Sequence, residues 1–494
     1  MTEREIILSS PTRWILALIL IIYVVLGVLY AVFTPPWQVP DEPAHYNYIR
    51  HIAEEGSLPV MAPGDYDQAY LERITDQENP FPPDLPIDPI TYEDHQPPLY
   101  YLLATLVYLL FDGALLPLRL FSVALGLGTL LIAHGLIRQL FPQRPAVPLV
   151  ATALIAFIPQ HLAMMAGVEN DALAELLVAA GLWMAVRYVQ GDVNGRQFLV
   201  GWGLILGLVV LTKVSAYVVL PVALLAVGLR THREGESWGR AAGRAAWIFW
   251  ATAALAGPWL IRNIGIYGWT DPLGMGRHNL VVEGQPRTVA WVTEYGLGGL
   301  LWRMARTTFQ SFWGQFGWMG VPLQPAIYLA LLVFSGMLVV GFVGWTFDRR
   351  RARLTLPQVD GLMVLGASGL LTALIYLAYN LTFVQHQGRY LFPALIPLAL
   401  TAALGLGWLL SPRGGRWAAA GLASLGTLLI LAGLFRGDLI LMPTAAAFAL
   451  AGVTTVGAVW PRWGRWLGLA ALGVGLVALD VYSLFGAIVP TLVR

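Results

Sequence analysis

Two adjacent carboxylates and a histidine follow directly after the first apolar run of the chain. Asp41 and Glu42 come after Pro40, and His45 lies four residues beyond Asp41, so a helix here would place Asp41 and His45 on one face. An ionised carboxylate in this position can accept the proton of an attacking hydroxyl group. We therefore identify Asp41 and Glu42 as candidate catalytic bases and His45 as a candidate substrate-binding residue. Helix capping by either carboxylate is the structural alternative.

A second polar run could bind the charged leaving group of such a reaction. Residues 385–390, Gln-His-Gln-Gly-Arg-Tyr, stand at the entry of an apolar run and are dense in hydrogen-bond donors. Arginine can bind a phosphate through two parallel hydrogen bonds. We predict that four of these residues bind a phosphate or pyrophosphate: His386, Gln387, Arg389 and Tyr390. An ion pair between Arg389 and the acidic segment that begins at Asp41 is the alternative.

Lys213 and His95 complete the set of candidate substrate-binding residues. Lys213 lies between two apolar half-spans, where a lysine needs a partner, and a structural ion pair at a helix break is the alternative to a substrate phosphate. His95 begins the run His-Gln-Pro-Pro-Leu-Tyr-Tyr. The acidic residues and histidines could converge on a divalent metal, but no spacing requires it. We therefore assign no residue as a metal ligand and no certain cofactor, and a divalent metal stays an open alternative.

The composition indicates that a membrane protein carries these residues. Of 494 residues, 57% are hydrophobic and only 12% are charged, whereas soluble domains carry about 25% charged residues. The absence of cysteine excludes disulfides, cysteine-ligated metal centres and thiol catalysis. We expect membrane lipids, and no nucleic acid, among the partners.

Hydropathy predicts about thirteen transmembrane helices in a single transmembrane domain, residues 1–494, at roughly 20 residues for each crossing. The predicted spans are 14–33, 116–137, 146–167, 171–190, 197–212, 214–230, 243–264, 322–346, 359–380, 390–411, 415–434, 439–460 and 466–489. The two spans around Lys213 are short and could form one broken helix.

The arginines predict the orientation of these spans. If the N-terminus is cytoplasmic, the arginine-rich connections all fall on the cytoplasmic side; they contain Arg138 and Arg144, Arg187 and Arg196, Arg230 to Arg244, Arg349 to Arg353, Arg413 and Arg416, and Arg462 and Arg465. Two long segments, 34–115 and 265–321, are then outer loops in which we expect interfacial helices. The prediction is a multi-pass protein of the inner (plasma) membrane with its active site on the outer face.

Two short helices are predicted within the first outer loop. Pro43 suits the first turn of a helix and Gly56 suits its end, so the first helix would begin at the carboxylate pair. The second would cover about residues 97–111 and lie along the outer interface, because it is short for a membrane span.

Three local motifs resemble the GT-C superfamily of integral-membrane glycosyltransferases. They are the acidic pair Asp41-Glu42, residues 95–101, which are similar to the family's His-Pro-Pro-Leu-Tyr-Tyr pattern with Gln96 inserted, and residues 387–393, which are similar to its Gly-Arg-Tyr segment. More narrowly, the chain is similar to polyprenyl-phosphate-sugar-dependent transferases, including protein mannosyltransferases and the lipid A aminoarabinose transferase.

The resemblance implies a GT-C-like fold and an inverting transfer of a sugar from a polyprenyl-phosphate donor to a hydroxyl of a glycan, lipid or protein acceptor. Asp41 or Glu42 would be the base, and the donor phosphate would lie near Arg389 and Lys213. Two alternatives stay open: a transporter or flippase of a lipid-linked saccharide, and a non-catalytic lipid-binding envelope protein. A transporter normally binds its substrate near the middle of the membrane, whereas the candidate residues here gather at one face.

Overall fold

The computed structural model describes residues 10–76, 80–193, 195–348, 354–439, 441–460 and 463–492. This part of the chain is a bundle of α-helices, as the sequence predicts. Within it, the paired strands are Gln315–Phe316 and Val321–Pro322, an antiparallel ribbon that places Gln315 opposite Pro322.

The helices are numbered here in chain order. The first ten are α1 Ser10–Phe33, α2 Glu42–Glu55, α3 Gln68–Ile74, α4 Leu99–Leu110, α5 Leu115–Leu140, α6 Ala146–Ala156, α7 Pro159–Met165, α8 Asp171–Val189, α9 Arg196–Val210 and α10 Val219–Glu234. The others are α11 Trp238–Tyr267, α12 Met275–Val281, α13 Thr288–Trp313, α14 Pro325–Phe347, α15 Leu356–Tyr379, α16 Leu395–Leu409, α17 Pro412–Arg436, α18 Leu441–Val459, α19 Trp463–Tyr482 and α20 Val489–Leu492. Short 3-10 helices, Val214–Val218 and Gly388–Ala394, precede α10 and α16, and a π-helix, Ser483–Ile488, follows α19.

The chain is a multi-pass membrane protein, but the predicted count of thirteen spans is not confirmed. Among the described residues, ten helices are long and apolar enough to cross a membrane, or eleven if the bent pair α6 and α7 forms one span. The two other predicted spans correspond to α9 and α11. Helix α9 has 15 residues, about 22 Å at 1.5 Å per residue, which is shorter than a bilayer core. Helix α11 is long enough, but its arginine, tryptophan and glycine residues make it less apolar.

Three interruptions of the helical bundle position the candidate site. Between α7 and α8 the chain turns at residues 166–170, and α6 and α7 are bent by 68° just before it. Between α9 and the next 3-10 helix, Lys213 has an extended backbone. The 3-10 helix Gly388–Ala394 precedes α16. Each interruption directs polar side chains toward the space beneath the predicted outer loops.

A small separate core joins the two predicted outer loops. Its buried residues come from both loops and from the segment after α15: Ala44, Met61, Ile74, Ile90, Tyr92, Val281, Val282 and Phe383. The backbone N–H of Thr288 donates to the Thr382 carbonyl at 3.2 Å, and that of Val384 donates to the Pro286 carbonyl at 3.0 Å. These contacts hold the segment that leads into Arg389 against the second loop.

The predicted orientation depends in part on residues that lie outside the described ranges. Among the arginines that support it, Arg349, Arg350, Arg351, Arg353 and Arg462 belong to those positions. The orientation therefore stays a prediction.

Candidate active site

Asp41 stands immediately before α2 and does not cap it. Helix α2 has Pro43 in its first turn and ends at Gly56 in the left-handed conformation, as predicted. Asp41 itself has a φ of 67°, a region that aspartate tolerates better than most residues. Its side chain accepts a hydrogen bond from the Tyr92 hydroxyl at 2.7 Å and is ion-paired with Arg389. The carboxylate is thus directed into the site and not toward the helix amides.

Glu42 is completely buried and its hydrogen-bonding capacity is used inside the protein. Its Oε1 accepts from Arg119 Nε at 2.8 Å and from the Val168 backbone N–H at 3.1 Å. Its Oε2 accepts from Arg119 Nη2 at 2.6 Å and from the Trp37 backbone N–H at 3.0 Å. Two hydrogen bonds to each oxygen occupy the lone pairs of a carboxylate. Of the two carboxylates that the sequence offers as candidate bases, Asp41 therefore has fewer contacts inside the protein.

Arg119 fixes the place where the chain leaves α1. Besides Glu42, its guanidinium donates to the carbonyl oxygens of Ala31 at 3.0 Å, Thr34 at 2.6 Å and Pro35 at 3.1 Å. It thereby ties the end of α1 to the beginning of α2. Sequence reasoning did not single out this arginine, because it lies within an apolar span and its partners are distant in sequence.

Asp41 is one of six titratable side chains that are linked to one another, and we call them the charge cluster: Asp41, His45, Glu169, Asp171, Lys213 and Arg389. Glu169 is at its centre. Glu169 Oε1 lies 2.9 Å from Lys213 Nζ and 3.2 Å from His45 Nε2. Glu169 Oε2 lies 3.5 Å from Arg389 Nη1. Lys213 Nζ is also 2.7 Å from Asp171 Oδ1.

The charges in this cluster alternate in sign. Asp41 is followed by Arg389, Glu169, Lys213 and Asp171, and each neighbouring pair is an ion pair. The side chain of Glu169 is only 1% exposed, whereas that of Asp41 is 22% exposed. The cluster is therefore closed around Glu169 and most open at Asp41.

Neighbouring charges decide the ionisation of Glu169 and His45. Burial by itself favours neutral Glu169, but Lys213, His45 and Arg389 together hold the pKa of this carboxyl well below its usual range. Burial opposes a charge on His45 as well, and Glu169 outweighs it, so the pKa of His45 is raised. His45 Nδ1 also lies 2.8 Å from the Tyr101 hydroxyl. Both groups are held in one orientation and one charge state.

Glu93 is a further carboxyl of this site that sequence reasoning did not identify. It follows Tyr92, the residue that donates to Asp41. Its Oε2 is buried without a hydrogen-bond partner among the described residues. Burial raises the pKa of Glu93 to about 7; Asp41 and Glu169 also raise it, and His45 and Lys213 oppose the rise. A carboxyl with this pKa can exchange a proton near neutral pH.

Gln387 and Tyr390 support Arg389 from its own segment. Gln387 Oε1 accepts from Arg389 Nε at 2.7 Å, and the Tyr390 ring lies 5.4 Å from the guanidinium carbon. Gly388 is in close contact with the backbone of α13, since a Cβ atom there would lie 2.4 Å from the Thr308 carbonyl oxygen. The space that glycine provides is thus occupied by a helix.

His95 and His386 are not linked to the charge cluster by any hydrogen bond or ion pair among the described residues. His95 Nδ1 lies 3.3 Å from the Tyr92 carbonyl oxygen, and its ring centroid is 4.4 Å from that of His278. Burial lowers the pKa of His95 well below its usual range, with a contribution from His278. The His386 ring packs edge-on against Trp291, with the centroids 5.5 Å apart. The structure thus brings together Asp41, His45, Lys213 and Arg389, with Gln387 and Tyr390 beside them.

The chain is similar to known proteins in part of its sequence and in its fold. The sequence model of a family described as dolichyl-phosphate-mannose-protein mannosyltransferase matches residues 95–261, about a third of the chain. The chain is similar to the structure of ArnT from Cupriavidus metallidurans bound to undecaprenyl phosphate, with a TM-score of 0.58 and 16% identity over 97% of this chain and 77% of that one. The fold of the chain is thus similar to that of ArnT, and the resemblance drawn from its motifs is confirmed at the level of the fold.

The structure of the same Cupriavidus metallidurans ArnT in the apo state gives a similar result. Its TM-score is 0.56 with 17% identity, again over 97% of this chain and 77% of that one. No curated protein matches the chain in sequence. The similarity is therefore one of fold, at low sequence identity.

Proposed function

We propose that the protein is a glycosyltransferase that moves a sugar from a polyprenyl-phosphate donor to a hydroxyl acceptor at the outer face of the plasma membrane. The observation that carries the proposal is the position of the charge cluster beside apolar grooves. A polyprenyl-phosphate sugar has a charged head and a long hydrocarbon tail, and it needs both environments next to each other.

The apolar grooves continue from the segment that holds Arg389. Pockets of about 430 Å³ and 290 Å³ are both lined by Phe309 and Phe312 of α13. Leu391, two residues after Arg389, lines the first pocket, and Leu395 lines the second. In this proposal the donor phosphate binds at Arg389 and the tail follows the same segment into lipid.

The comparisons support this class of donor. The similar ArnT structure contains undecaprenyl phosphate, which is a polyprenyl phosphate. The matching family is described by its use of dolichyl-phosphate mannose, a sugar on a polyprenyl-phosphate carrier. Neither name identifies the sugar or the acceptor of the present protein.

Asp41 would act as the base in a single displacement. The acceptor oxygen attacks the anomeric carbon opposite to the phosphate and forms the new glycosidic bond, while its proton passes to Asp41. The bond from the anomeric carbon to the phosphate oxygen breaks, and polyprenyl phosphate leaves with the electron pair, so the configuration inverts. Arg389 and Lys213 stabilise the charge that develops on the phosphate. When the phosphate attracts Arg389, the Asp41 carboxylate is released to accept the proton.

The decisive experiment begins with mass spectrometry of lipids and glycans from cells with and without the gene, which names the donor and the acceptor. Turnover is then measured with purified protein as release of the polyprenyl phosphate. Asp41→Asn should lower turnover by about 10²–10⁴-fold, the usual contribution of a well-placed base, while donor binding is kept. Asp84→Asn makes the same change at an exposed position of the first outer loop and serves as the matched control.

The same experiment separates the alternatives. A transporter would move a labelled lipid-linked saccharide across proteoliposomes without cleaving it, and a non-catalytic binding protein would retain it unchanged. Turnover of Asp41→Asn at the wild-type rate would refute the assignment of the base. A parallel Glu42→Gln variant would then show whether Glu42 has that role.

A further inference from the structure

A second polar pocket lies near the other end of α8, the helix that begins in the charge cluster. Helix α8 begins at Asp171, in the cluster, and Tyr188 near its other end lines the second pocket. Tyr188 is 17 positions after Asp171, which is about 26 Å along the helix at 1.5 Å per residue. Glu234, the last residue of α10, lines the pocket as well. The two polar sites are therefore at opposite faces of the helical bundle.

The second pocket has a surplus of positive charge, and we call it the arginine pocket. Its volume is about 420 Å³, within the range of small-molecule sites. The charged residues that line it come from α9, α10, α11 and the turn between the last two: Arg196, Arg230, Arg240, Arg244, Glu234 and Glu236. Four arginines against two glutamates leave two positive charges that no carboxylate of the pocket balances.

Two of the four arginines are used to hold the pocket together. Arg230 is buried and donates to the carbonyl oxygens of Tyr188 at 3.0 Å and Val193 at 2.8 Å, and to Glu234 at 2.8 Å. Arg244 Nη1 is 2.6 Å from Glu236 Oε2. These contacts hold the walls of the pocket together. They also give each of the two glutamates an arginine partner.

The other two arginines carry the surplus charge. The Arg196 guanidinium lies 3.7 Å from the centroid of the Trp247 ring, and Arg196 is exposed. The side chain of Arg240 is 69% exposed and reaches Glu236 only at 3.5 Å. Both guanidinium groups can therefore turn toward an anion in the pocket without breaking a buried contact.

Exposed aromatic side chains place the arginine pocket at the level of lipid headgroups. Trp238, Trp247 and Trp250, all in the first half of α11, are 69%, 39% and 65% exposed. Tryptophan is enriched where a membrane protein crosses the boundary between lipid and water. An anion that reaches this pocket would thus come from the membrane surface.

We propose that the arginine pocket binds the phosphate headgroup of an anionic membrane lipid in the leaflet opposite to the charge cluster. The planar guanidinium groups of Arg196 and Arg240 match the oxygens of a phosphate, and the surplus charge selects an anionic lipid over a zwitterionic one. The exposed tryptophans flank the glycerol and the upper acyl chains. The binding site is independent of the sugar-transfer reaction.

The test measures binding of phosphatidylglycerol to the whole protein in detergent by mass spectrometry of the intact complex. The double variant Arg196→Gln/Arg240→Gln should bind this lipid about thirtyfold more weakly, since each arginine near an anionic surface contributes about 1 kcal/mol and about 1.4 kcal/mol corresponds to a factor of ten. The matched control is Arg413→Gln/Arg416→Gln, which removes two exposed charges at the beginning of α17 and should bind like the wild type. Phosphatidylcholine should bind more weakly to the wild type than phosphatidylglycerol.

Three results would overturn the proposal. The first is wild-type affinity in the pocket variant, and the second is an equal loss in both double variants. The third is displacement of the lipid by glycerol 3-phosphate at comparable concentration, which would show a site for a soluble phosphate. The altered arginines are exposed, so we expect the variants to fold, and unchanged melting temperatures would establish this.

Discussion

The two ends of α8 carry polar sites that are built in opposite ways. At its beginning, the charge cluster alternates acid and base around a Glu169 side chain that is 1% exposed. Near its other end, the arginine pocket keeps two exposed arginines that its glutamates do not neutralise. A buried charge is stable only beside a partner, so the cluster had to be balanced. A charge in contact with water carries no such requirement and can remain available for a ligand.

The charge cluster and the arginine pocket are therefore suited to different functions. Balanced, buried charges hold their neighbours in one geometry, which a displacement reaction needs. Exposed surplus charge attracts anions without fixing their orientation, and salt screens it. Substitutions in the charge cluster should therefore change the stability of the protein and its turnover. Substitutions of the exposed arginines in the arginine pocket should change lipid binding alone.

The largest effect on stability is expected at Arg119, which supports the buried end. Arg119→Ala would leave Glu42 as an unpaired buried charge and three carbonyl groups without their donor. Breaking a buried ion pair typically costs about 3–5 kcal/mol, to be measured as the free energy of unfolding in mild detergent. Arg416→Ala, at an exposed position, is the control. A variant of Arg119 as stable as the wild type would show that the pair does not hold the end of α1.

A smaller effect is expected at Arg389, where charge and geometry can be separated. Arg389→Lys keeps the positive charge between Asp41 and Glu169 but loses the planar fork. We expect binding of a short-chain polyprenyl phosphate to weaken about tenfold or more, the contribution of a charge-assisted hydrogen bond. If Arg389→Ala binds this lipid as tightly as wild type and only melts at a lower temperature, Arg389 has a structural role and the proposed phosphate position is wrong.

Glu93, which lies beside the charge cluster, should make the stability of the protein depend on pH. Because burial raises its pKa from 4.5 to about 7, the folded state binds more protons than the unfolded state between these values. Its contribution to stability therefore falls as pH rises from about 4.5 to about 7. Glu93→Gln should remove this decline, so the variant should gain melting temperature relative to wild type at pH 8 and gain little at pH 4. An identical pH dependence in both proteins would contradict the assignment.

The smallest effect is expected at Arg240, and it completes the comparison with Arg119. The side chain is 69% exposed and its nearest carboxylate oxygen is 3.5 Å away. Arg240→Gln should change the free energy of unfolding by less than about 0.5 kcal/mol. A loss of several times that value would show that the arginine pocket is held together as rigidly as the charge cluster, and that the two ends do not differ.

Local signals in the sequence were sufficient for much of the fold and for part of the site. Pro43 and Gly56 mark the ends of α2, and the helix predicted at residues 97–111 is observed as Leu99–Leu110. The motifs around Asp41 and Arg389 are sufficient to indicate a resemblance to GT-C proteins. The exact number of spans was not accessible, because α9 and α11 lie near the limits of length and hydropathy that define a crossing.

The sequence by itself determined an all-helical membrane protein and drew attention to Asp41, Lys213 and Arg389, because apolar runs and the polar residues that interrupt them are visible along the chain. Only the tertiary structure decided their partners. It assigned Glu42 to Arg119, placed Glu169 between Lys213 and Arg389, and left Asp41 as the more open carboxylate. These pairs join residues up to 348 positions apart. Energies of burial and pairing depend on distances in space, and no local pattern in the sequence records them.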